Sequence, residues 1–166
     1  MTRTEIRELT FELLYSLEIQ KMEQEEYNEQ IELFLVEQNV SQEKAKTYMT
    51  ETINGIAKNK EEILELISQN LKEKWDISRV SKINITLLKL ATYEIVYTEL
   101  PYKVVVNEAV EKCFLSGVRE LSKSVLEDIA RQTISISKSC KKQIDNMKKA
   151  FQENNFKDAT TGKITT

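Results

Sequence analysis

The sequence predicts an all-α fold, and three observations support this prediction. The 166 residues include only three Gly and one Pro, so residues that favour tight turns are scarce. Glu, Lys, Leu, Ile and Ser dominate the composition, a balance that favours helices over sheets. Apolar residues recur at spacings of three and four along much of the chain, as on one face of a helix. A hydrophobic content of 40 % can supply one good core or two small helical subdomains.

The first three predicted helices each combine an apolar stripe with a boundary signal. Thr2 and Glu5 have the spacing of a capping box at the start of the first helix. Asn39 is expected to break the second helix, and Ser41 to cap the third. Gly55 is expected to end or bend that third helix. The stripes consist of Ile6, Leu9, Leu13, Leu14 and Leu17, then Tyr27, Ile31, Phe34 and Leu35, then Tyr48, Met49 and Ile53.

The next two helices carry stronger apolar signals. Asn59 and Glu62 repeat the capping-box spacing ahead of a fourth helix that leads to Trp75. Residues 78–97 are apolar over so much of the helix surface that we expect this fifth helix to lie at the centre of the core. The apolar residues are Ile63, Leu64, Leu66, Ile67 and Leu71, then Ile83, Leu87, Leu88, Leu90, Ala91, Tyr93 and Ile95.

The segment that follows Pro101 is ambiguous. The run Val104-Val105-Val106 taken alone is typical of a short strand, because β-branched residues favour an extended chain. Helical spacing returns from Asn107 to Phe114, and Gly117 then supplies a break. Leu121, Val125, Leu126 and Ile129 form the apolar stripe of a last helix.

The net charge of −3 is unevenly distributed. Residues 133–166 contain seven Lys and three acidic residues, a net charge of +4, which leaves −7 for residues 1–132. We therefore expect a helical domain over 1–132 and a basic tail over 133–166 that is partly disordered or helical. The tail is either an interaction arm or a solvated C-terminus, and composition alone does not decide between them.

Several classes of protein are disfavoured by composition. Cys113 and Cys140 form no CxxC pair, and the chain has no His, so neither a disulfide framework nor an ordinary zinc site is expected. No uninterrupted apolar run approaches 18 residues, and acids lie in the first turn, which argues against a signal peptide or a membrane span. We expect a cytoplasmic protein without cofactor or metal.

Two linked motifs give the sequence a specific resemblance. The first is an arginine at 79 followed by a leucine-rich helix that ends in Tyr93-Glu94-Ile95. The second is Pro101-Tyr102-Lys103-Val104-Val105-Val106-Asn107-Glu108-Ala109-Val110-Glu111. At the front, Arg3, Arg7-Glu8 and Leu13-Leu14-Tyr15 follow the pattern of a basic first helix. Together, over roughly residues 2–130, these motifs resemble the NusB family of transcription antitermination factors.

This resemblance implies a bundle of about seven helices, built as two three-helix subdomains plus a final helix. It also implies a factor that binds boxA, a single-stranded leader element of rRNA operons, as a heterodimer with the small-subunit ribosomal protein that acts as NusE. The pair would join an elongating RNA polymerase complex with other Nus factors. The residues implied for RNA are Arg3, Arg7, Tyr15, Lys103, Leu121 and Lys123. Those implied for the protein partner are Asn84, Leu88, Glu94, Tyr102 and Glu108.

The sequence departs from the family before the last helix. Where the family has Phe-Val-Asn-Gly-Val-Leu, alignment on Val125-Leu126 places Leu121 at the aromatic and Lys123 at the Asn position. An aromatic ring can stack on an unpaired base for roughly 1–3 kcal/mol, whereas leucine offers apolar contact only. We therefore expect lower RNA affinity than in the family, or a contact moved to Lys123 and the tail. We also expect strong salt dependence for the complex and weak RNA binding by this chain alone.

Each implied residue also has a structural explanation. Arg3 and Arg7 could form ordinary exposed ion pairs with acids on the same helix. Leu88, like Tyr93 and Trp75, could simply pack in the core. Asn107-Glu108 could mark a helix start.

The functional alternatives are a protein-binding scaffold without specific boxA recognition and an RNA-targeting adaptor. The adaptor would be a relative of the NusB-like domain at the front of some rRNA cytosine methyltransferases, although the length of the chain favours a free factor. Glu94 and Glu108 could suggest acid–base catalysis, but no nucleophile motif or metal cluster accompanies them, so we expect no enzyme.

Overall fold

The computed structural model of the protein describes residues 1–71, 76–111, 123–133, 146–147 and 149–150. The chain divides into two compact units, Met1–Ala130 and Arg131–Thr166. The predictions for Trp75, Gly117 and Leu121, and most of the tail prediction, lie outside the described residues.

The described chain is helical, which confirms the all-α prediction. Every described regular element is an α-helix or a short 3-10 helix, the latter at Gln24–Glu26 and Ile77–Arg79. The α-helices are α1 (Arg3–Ile19), α2 (Tyr27–Glu37), α3 (Glu43–Lys58), α4 (Lys60–Asn70), α5 (Lys82–Tyr97), α6 (Tyr102–Glu111) and α7 (123–133).

The first six α-helices form two groups of three, and α5 joins the groups. Helices α1, α2 and α3 pack on one another, and α5 packs on α4 and α6 of its own group. Because α5 also contacts α1 and α3, it joins the two groups. Its buried residues include Leu87, Leu88, Leu90, Ala91 and Ile95, so the prediction of a central fifth helix is confirmed. Fully burying an aliphatic side chain of this size contributes about 1.5–3 kcal/mol.

The helix boundaries agree only partly with the capping predictions. The Thr2–Glu5 capping box is present: Glu5 N donates to Thr2 Oγ1 at 3.2 Å, and Thr2 N donates to Glu5 Oε2 at 2.6 Å. The backbone N–H of Thr2, followed by its side-chain hydroxyl, lowers the pKa of the Glu5 carboxyl by hydrogen bonding to it. The predicted cap at Ser41 is wrong, since α3 begins after Gln42 without a side-chain cap. Asn59 is the N-cap residue of α4 as predicted, but its side chain makes no capping bond there, because Asn59 Nδ2 instead donates to Gly55 O at 2.8 Å.

Gly55 neither ends nor bends α3, which corrects the sequence prediction. The helix continues to Lys58, and Gly55 lies where Tyr93 of α5 crosses it. A Cβ atom at position 55 would lie 2.5 Å from Tyr93 Cε2. The glycine therefore allows the tyrosine ring, which is half-buried rather than fully in the core, to lie against the α3 backbone.

The segment with Val104-Val105-Val106 is the first turn and a half of α6. Val105 and Val106 are buried, and with Ala109 they form one apolar stripe facing the core. Burial on a helical face thus outweighs the local preference of β-branched residues for a strand. Asn107 and Glu108 lie inside α6, so they do not mark a helix start.

Candidate functional site

Arg7 lies in a buried ion-pair cluster that joins α1 to α5 and α6. Its side chain forms two parallel contacts with Glu94: Nε donates to Oε1 at 3.0 Å, and Nη2 lies 2.8 Å from Oε2. Arg7 Nη1 forms a further ion pair with Glu108. Tyr48 of α3 completes the cluster by donating from its hydroxyl to Glu94 Oε1 at 3.2 Å. Four helices therefore converge on one guanidinium and its two carboxylates.

The charges in this cluster perturb one another's protonation. Burial raises the pKa of the Glu94 carboxyl, although Arg7 and the Tyr48 hydrogen bond oppose this rise. Burial, followed by the negative charge of Glu94, raises the pKa of the Tyr48 hydroxyl. The tyrosine thus remains a neutral hydrogen-bond donor to Glu94.

Four of the predicted site residues are buried. Arg7 is 7 % exposed and pairs with Glu94 and Glu108, so the alternative of an exposed ion pair on α1 is wrong. Asn84, Leu88 and Glu94, expected near a partner protein, are all at most 1 % exposed. These three side chains therefore lie beneath the surface of the described fold. For Leu88, the alternative of core packing is confirmed.

A groove of 690 Å³ lies between α1 and the α5–α6 pair. Its buried residues are mostly apolar, among them Leu87, Leu90 and Ala91. Four of its eight less buried residues are acidic, so an apolar floor is bordered by carboxylates that form an acidic rim. The rim carboxylates are Glu8, Glu12, Glu108 and Glu111.

Tyr15 and Phe11 form part of the same groove on the α1 side. Their rings stack with centroids 6.2 Å apart and planes inclined by 8°. Tyr15 is half-buried, so one edge of the stacked pair remains available to a ligand.

A second, smaller cleft of 450 Å³ lies at the start of α1. It is enclosed by the first turns of α1, by Tyr48 of α3 and by the connection between α5 and α6. Arg7 lines both this cleft and the groove, so its guanidinium lies in the wall between them. The lining residues of the cleft are Arg3, Ile6, Arg7, Tyr48, Thr98, Glu99 and Leu100.

The other predicted site residues lie at or near the surface. Arg3, Lys103 and Lys123 are exposed, and Tyr102 and Glu108 are half-buried. Arg3 lines the cleft and Glu108 lines the groove. The groove therefore holds Tyr15 of the RNA set together with Glu108 of the partner set, and the adjoining cleft holds Arg3 of the RNA set.

Sequence reasoning did not identify the buried charge cluster, yet a signal was present. Arg7 follows the spacing of Leu14 and Leu17 on the buried stripe of α1. Glu94 lies on the buried stripe of α5 with Leu87 and Ala91. Opposite charges on the apolar faces of two helices indicate a buried pair between them.

The described ranges contain neither a candidate metal-binding cluster nor a candidate membrane-spanning helix. In these ranges no group of three or more His, Cys, Asp or Glu side chains is placed to hold a metal ion. None of the described helices is long and apolar enough to cross a membrane.

Comparison with known proteins assigns the family. The model of the NusB family matches residues 4–131. The chain belongs to the NusB family. The transcription antitermination protein NusB of Clostridium novyi is 40 % identical over 113 residues, which cover 67 % of this chain and 82 % of that protein. The protein of the same name from Acetivibrio thermocellus is 39 % identical over 113 residues, 67 % of this chain and 74 % of that protein.

Solved structures agree with this NusB assignment. T. maritima NusB superposes with a TM-score of 0.68 at 30 % identity, covering 79 % of this chain and 92 % of that one. A chain from a structure titled as a plectonemic RNA supercoil has a TM-score of 0.68 at 20 % identity, covering 80 % and 98 % respectively. That second likeness concerns the fold alone. The NusB family is one of transcription antitermination proteins, and the all-α NusB-like fold predicted from the sequence is confirmed.

Proposed function

We propose that this NusB-family chain pairs with the small-subunit ribosomal protein acting as NusE and binds boxA-type leader RNA of rRNA operons. The pair then joins the elongating RNA polymerase with other Nus factors in the cytoplasm, as a binding factor without catalysis. The observation that carries this proposal is the acid-rimmed apolar groove beside a cleft that holds Arg3.

The groove is suited to a basic protein segment. Its buried Leu87 and Leu90 offer apolar contact, and carboxylates such as Glu12 and Glu111 provide complementary charge at the rim. A negative rim attracts a basic partner and repels free RNA, so it favours protein docking and sets its orientation. The net charge of −7 over residues 1–132 acts in the same direction at longer range.

The RNA side rests on exposed cations near the start of α1. Arg3 lines the cleft that also includes Leu100, and Lys103 follows Leu100 by three residues. Three residues span at most about 11 Å, so Lys103 lies within that distance of Leu100 in the cleft wall. The planar guanidinium of arginine can fork to phosphate and stack on an unpaired base. Lys123 is a further exposed cation. The bound partner would supply the rest of the positive charge that attracts the RNA phosphates.

Binding assays with the ribosomal partner test this proposal against the alternatives. Labelled boxA RNA and a scrambled RNA are titrated with the chain and its partner in gel-shift experiments. We expect the mixture to shift boxA RNA preferentially, and the chain alone to bind it weakly. Equal binding of both RNAs would contradict antitermination by boxA recognition and favour an RNA adaptor. Partner binding without any RNA shift would favour the protein scaffold.

A charge reversal at the groove tests the partner site separately. Glu12→Lys places a cation on the rim and is expected to weaken partner binding by about tenfold, since like charges in a docking surface repel. Glu32→Lys makes the same change on the exposed side of α2 and serves as the control. If the two variants bind the partner equally, the groove is not the docking site.

A further inference from the structure

The cleft at the start of α1 has the dimensions and lining of a small ligand site. Its 450 Å³ falls within the range of about 300–1,000 Å³ typical of such sites. It is too small for a partner helix, whose diameter with side chains is about 10–12 Å, but it has room for one nucleotide. Ile6 and Leu100 provide aliphatic walls, and Tyr48 adds an aromatic one.

Most polar groups that line the cleft are already engaged. The Tyr48 hydroxyl donates to Glu94, and the Thr98 hydroxyl donates to the Glu94 carbonyl oxygen. Arg7 is held by its two carboxylates. Arg3 differs, because it is exposed and forms no ion pair with any residue of the described part of the chain. The cleft therefore presents apolar walls, the Arg3 cation and the carboxylate of Glu99.

This combination selects a flat, weakly polar ring that carries an anionic group. A free phosphate would leave the apolar walls unused, and a purely apolar ligand would leave Arg3 without a role. An unstacked nucleobase with its own phosphate uses both features. Glu99, which also lines the cleft, repels phosphate but can accept a hydrogen bond from an exocyclic amino group, so it would meet the base.

We infer that this cleft binds one unstacked base of the RNA, with the adjoining phosphate on the Arg3 guanidinium. This inference rests on the proposed RNA-binding function and specifies where one nucleotide of the ligand is held. Ile6, Tyr48 and Leu100 enclose the base, and Arg3 positions its backbone at the mouth.

An abasic scan combined with a filled cleft tests the inference. A series of boxA RNAs, each lacking one base, is titrated with the full chain bound to its ribosomal partner. With the native chain, removing the base that occupies the cleft is expected to weaken binding by about tenfold. In Leu100→Trp the indole occupies the cleft, so intact RNA should bind about tenfold more weakly and the same abasic position should cost little further. Leu33→Trp, the same change at a site 57 % exposed on α2, should reproduce the native profile.

Every result of the scan bears on the cleft. Equal abasic profiles for the native chain and Leu100→Trp would overturn the inference, even if boxA is bound specifically. If Leu100→Trp fails to fold, ultraviolet crosslinking of the native complex decides the question: a nucleotide adduct on Tyr48 or on the peptide with Thr98 supports the cleft, and adducts only elsewhere overturn it. Loss of preference for boxA over scrambled RNA instead refutes the proposed function, and the same crosslink then still decides whether the cleft holds a base.

Discussion

Replacing Arg7 with methionine is expected to destabilise the protein severely. The substitution keeps an unbranched side chain but removes the guanidinium that pairs with Glu94 and Glu108. Glu94 is fully buried, so it is left as a charge without its main counter-ion. Breaking a buried ion pair by removing one partner costs about 3–5 kcal/mol, against a total stability of about 5–15 kcal/mol for a domain. For a chain of this size such a loss lowers the Tm by roughly 10–15 °C.

Thermal and urea denaturation followed by circular dichroism measure this loss. The control is Arg3→Met, which removes the same group one turn earlier on α1 from an exposed position. Exposed surface substitutions usually change the free energy of unfolding by less than about 0.5 kcal/mol. If Arg7→Met and Arg3→Met differ by less than about 1 kcal/mol, the buried cluster does not hold the helices together as argued.

The pH dependence of Arg7→Met gives an independent check. Burial already raises the pKa of Glu94, and loss of the opposing Arg7 charge raises it further. A carboxyl with a higher pKa in the folded than in the unfolded state holds its proton more tightly when folded. Stability therefore rises as the pH falls through the folded pKa, and this gain is complete below the unfolded pKa. The deficit of Arg7→Met relative to the native chain should be smaller at about pH 5 than at about pH 8, and a deficit that grows on acidification would contradict this account.

Three further changes have defined outcomes. Ile67→Ala truncates a fully buried side chain and should lower the free energy of unfolding in urea by about 2–5 kcal/mol. Leu33→Ala, the control at an exposed site, should be nearly neutral. Similar losses of stability in both variants would contradict the assigned core. Gly55→Ala should not increase the free energy of unfolding in the native background, because the added methyl group displaces the Tyr93 ring. In a Tyr93→Ala background the same change should add about 0.5–1 kcal/mol. Equal effects in both backgrounds would refute the close packing. RNA binding by the complex should weaken steeply as the salt concentration rises. Arg3→Gln should lower the magnitude of the slope of log K against log salt concentration by about 0.7. An unchanged slope would exclude a phosphate contact at this residue.

The helical fold was predictable because apolar periodicity reports burial on each helix separately. Val105 and Val106 show where local preference fails: their helical state depends on the core that α5 and α6 share. Capping residues are also hard to assign from sequence, since a polar side chain at a helix boundary has several backbone partners within reach. The helix α3 begins after Gln42 rather than Ser41, and the Asn59 side chain bonds back to α3. Gly55 could not be interpreted without knowing which ring crosses α3.

The candidate site was less predictable than the fold, because its residues come from helices far apart in sequence. Arg3 and Lys103 are at the surface as expected, since chain ends and helix starts tend to be exposed. The family resemblance assigned Arg7 to RNA, whereas its observed contacts depend on Glu94 and Glu108 of two other helices. The two recesses depend on how α1, α3, α5 and α6 meet, which no single stretch of sequence encodes.

The ion pair between Arg7 and Glu94 also constrains the order in which the helices can pack while the chain is being synthesised. The two residues are 87 positions apart. At roughly 5–20 residues per second, Glu94 is added roughly 4–17 s after Arg7, whereas a helix forms within about a microsecond. Through that interval Arg7 has neither of its carboxylate partners, so the contact that joins α1 to α5 and α6 cannot form. A nascent chain arrested before α5 should therefore remain open to proteases along the face of α1 that carries Arg7, and α1 would settle late relative to its position in the sequence.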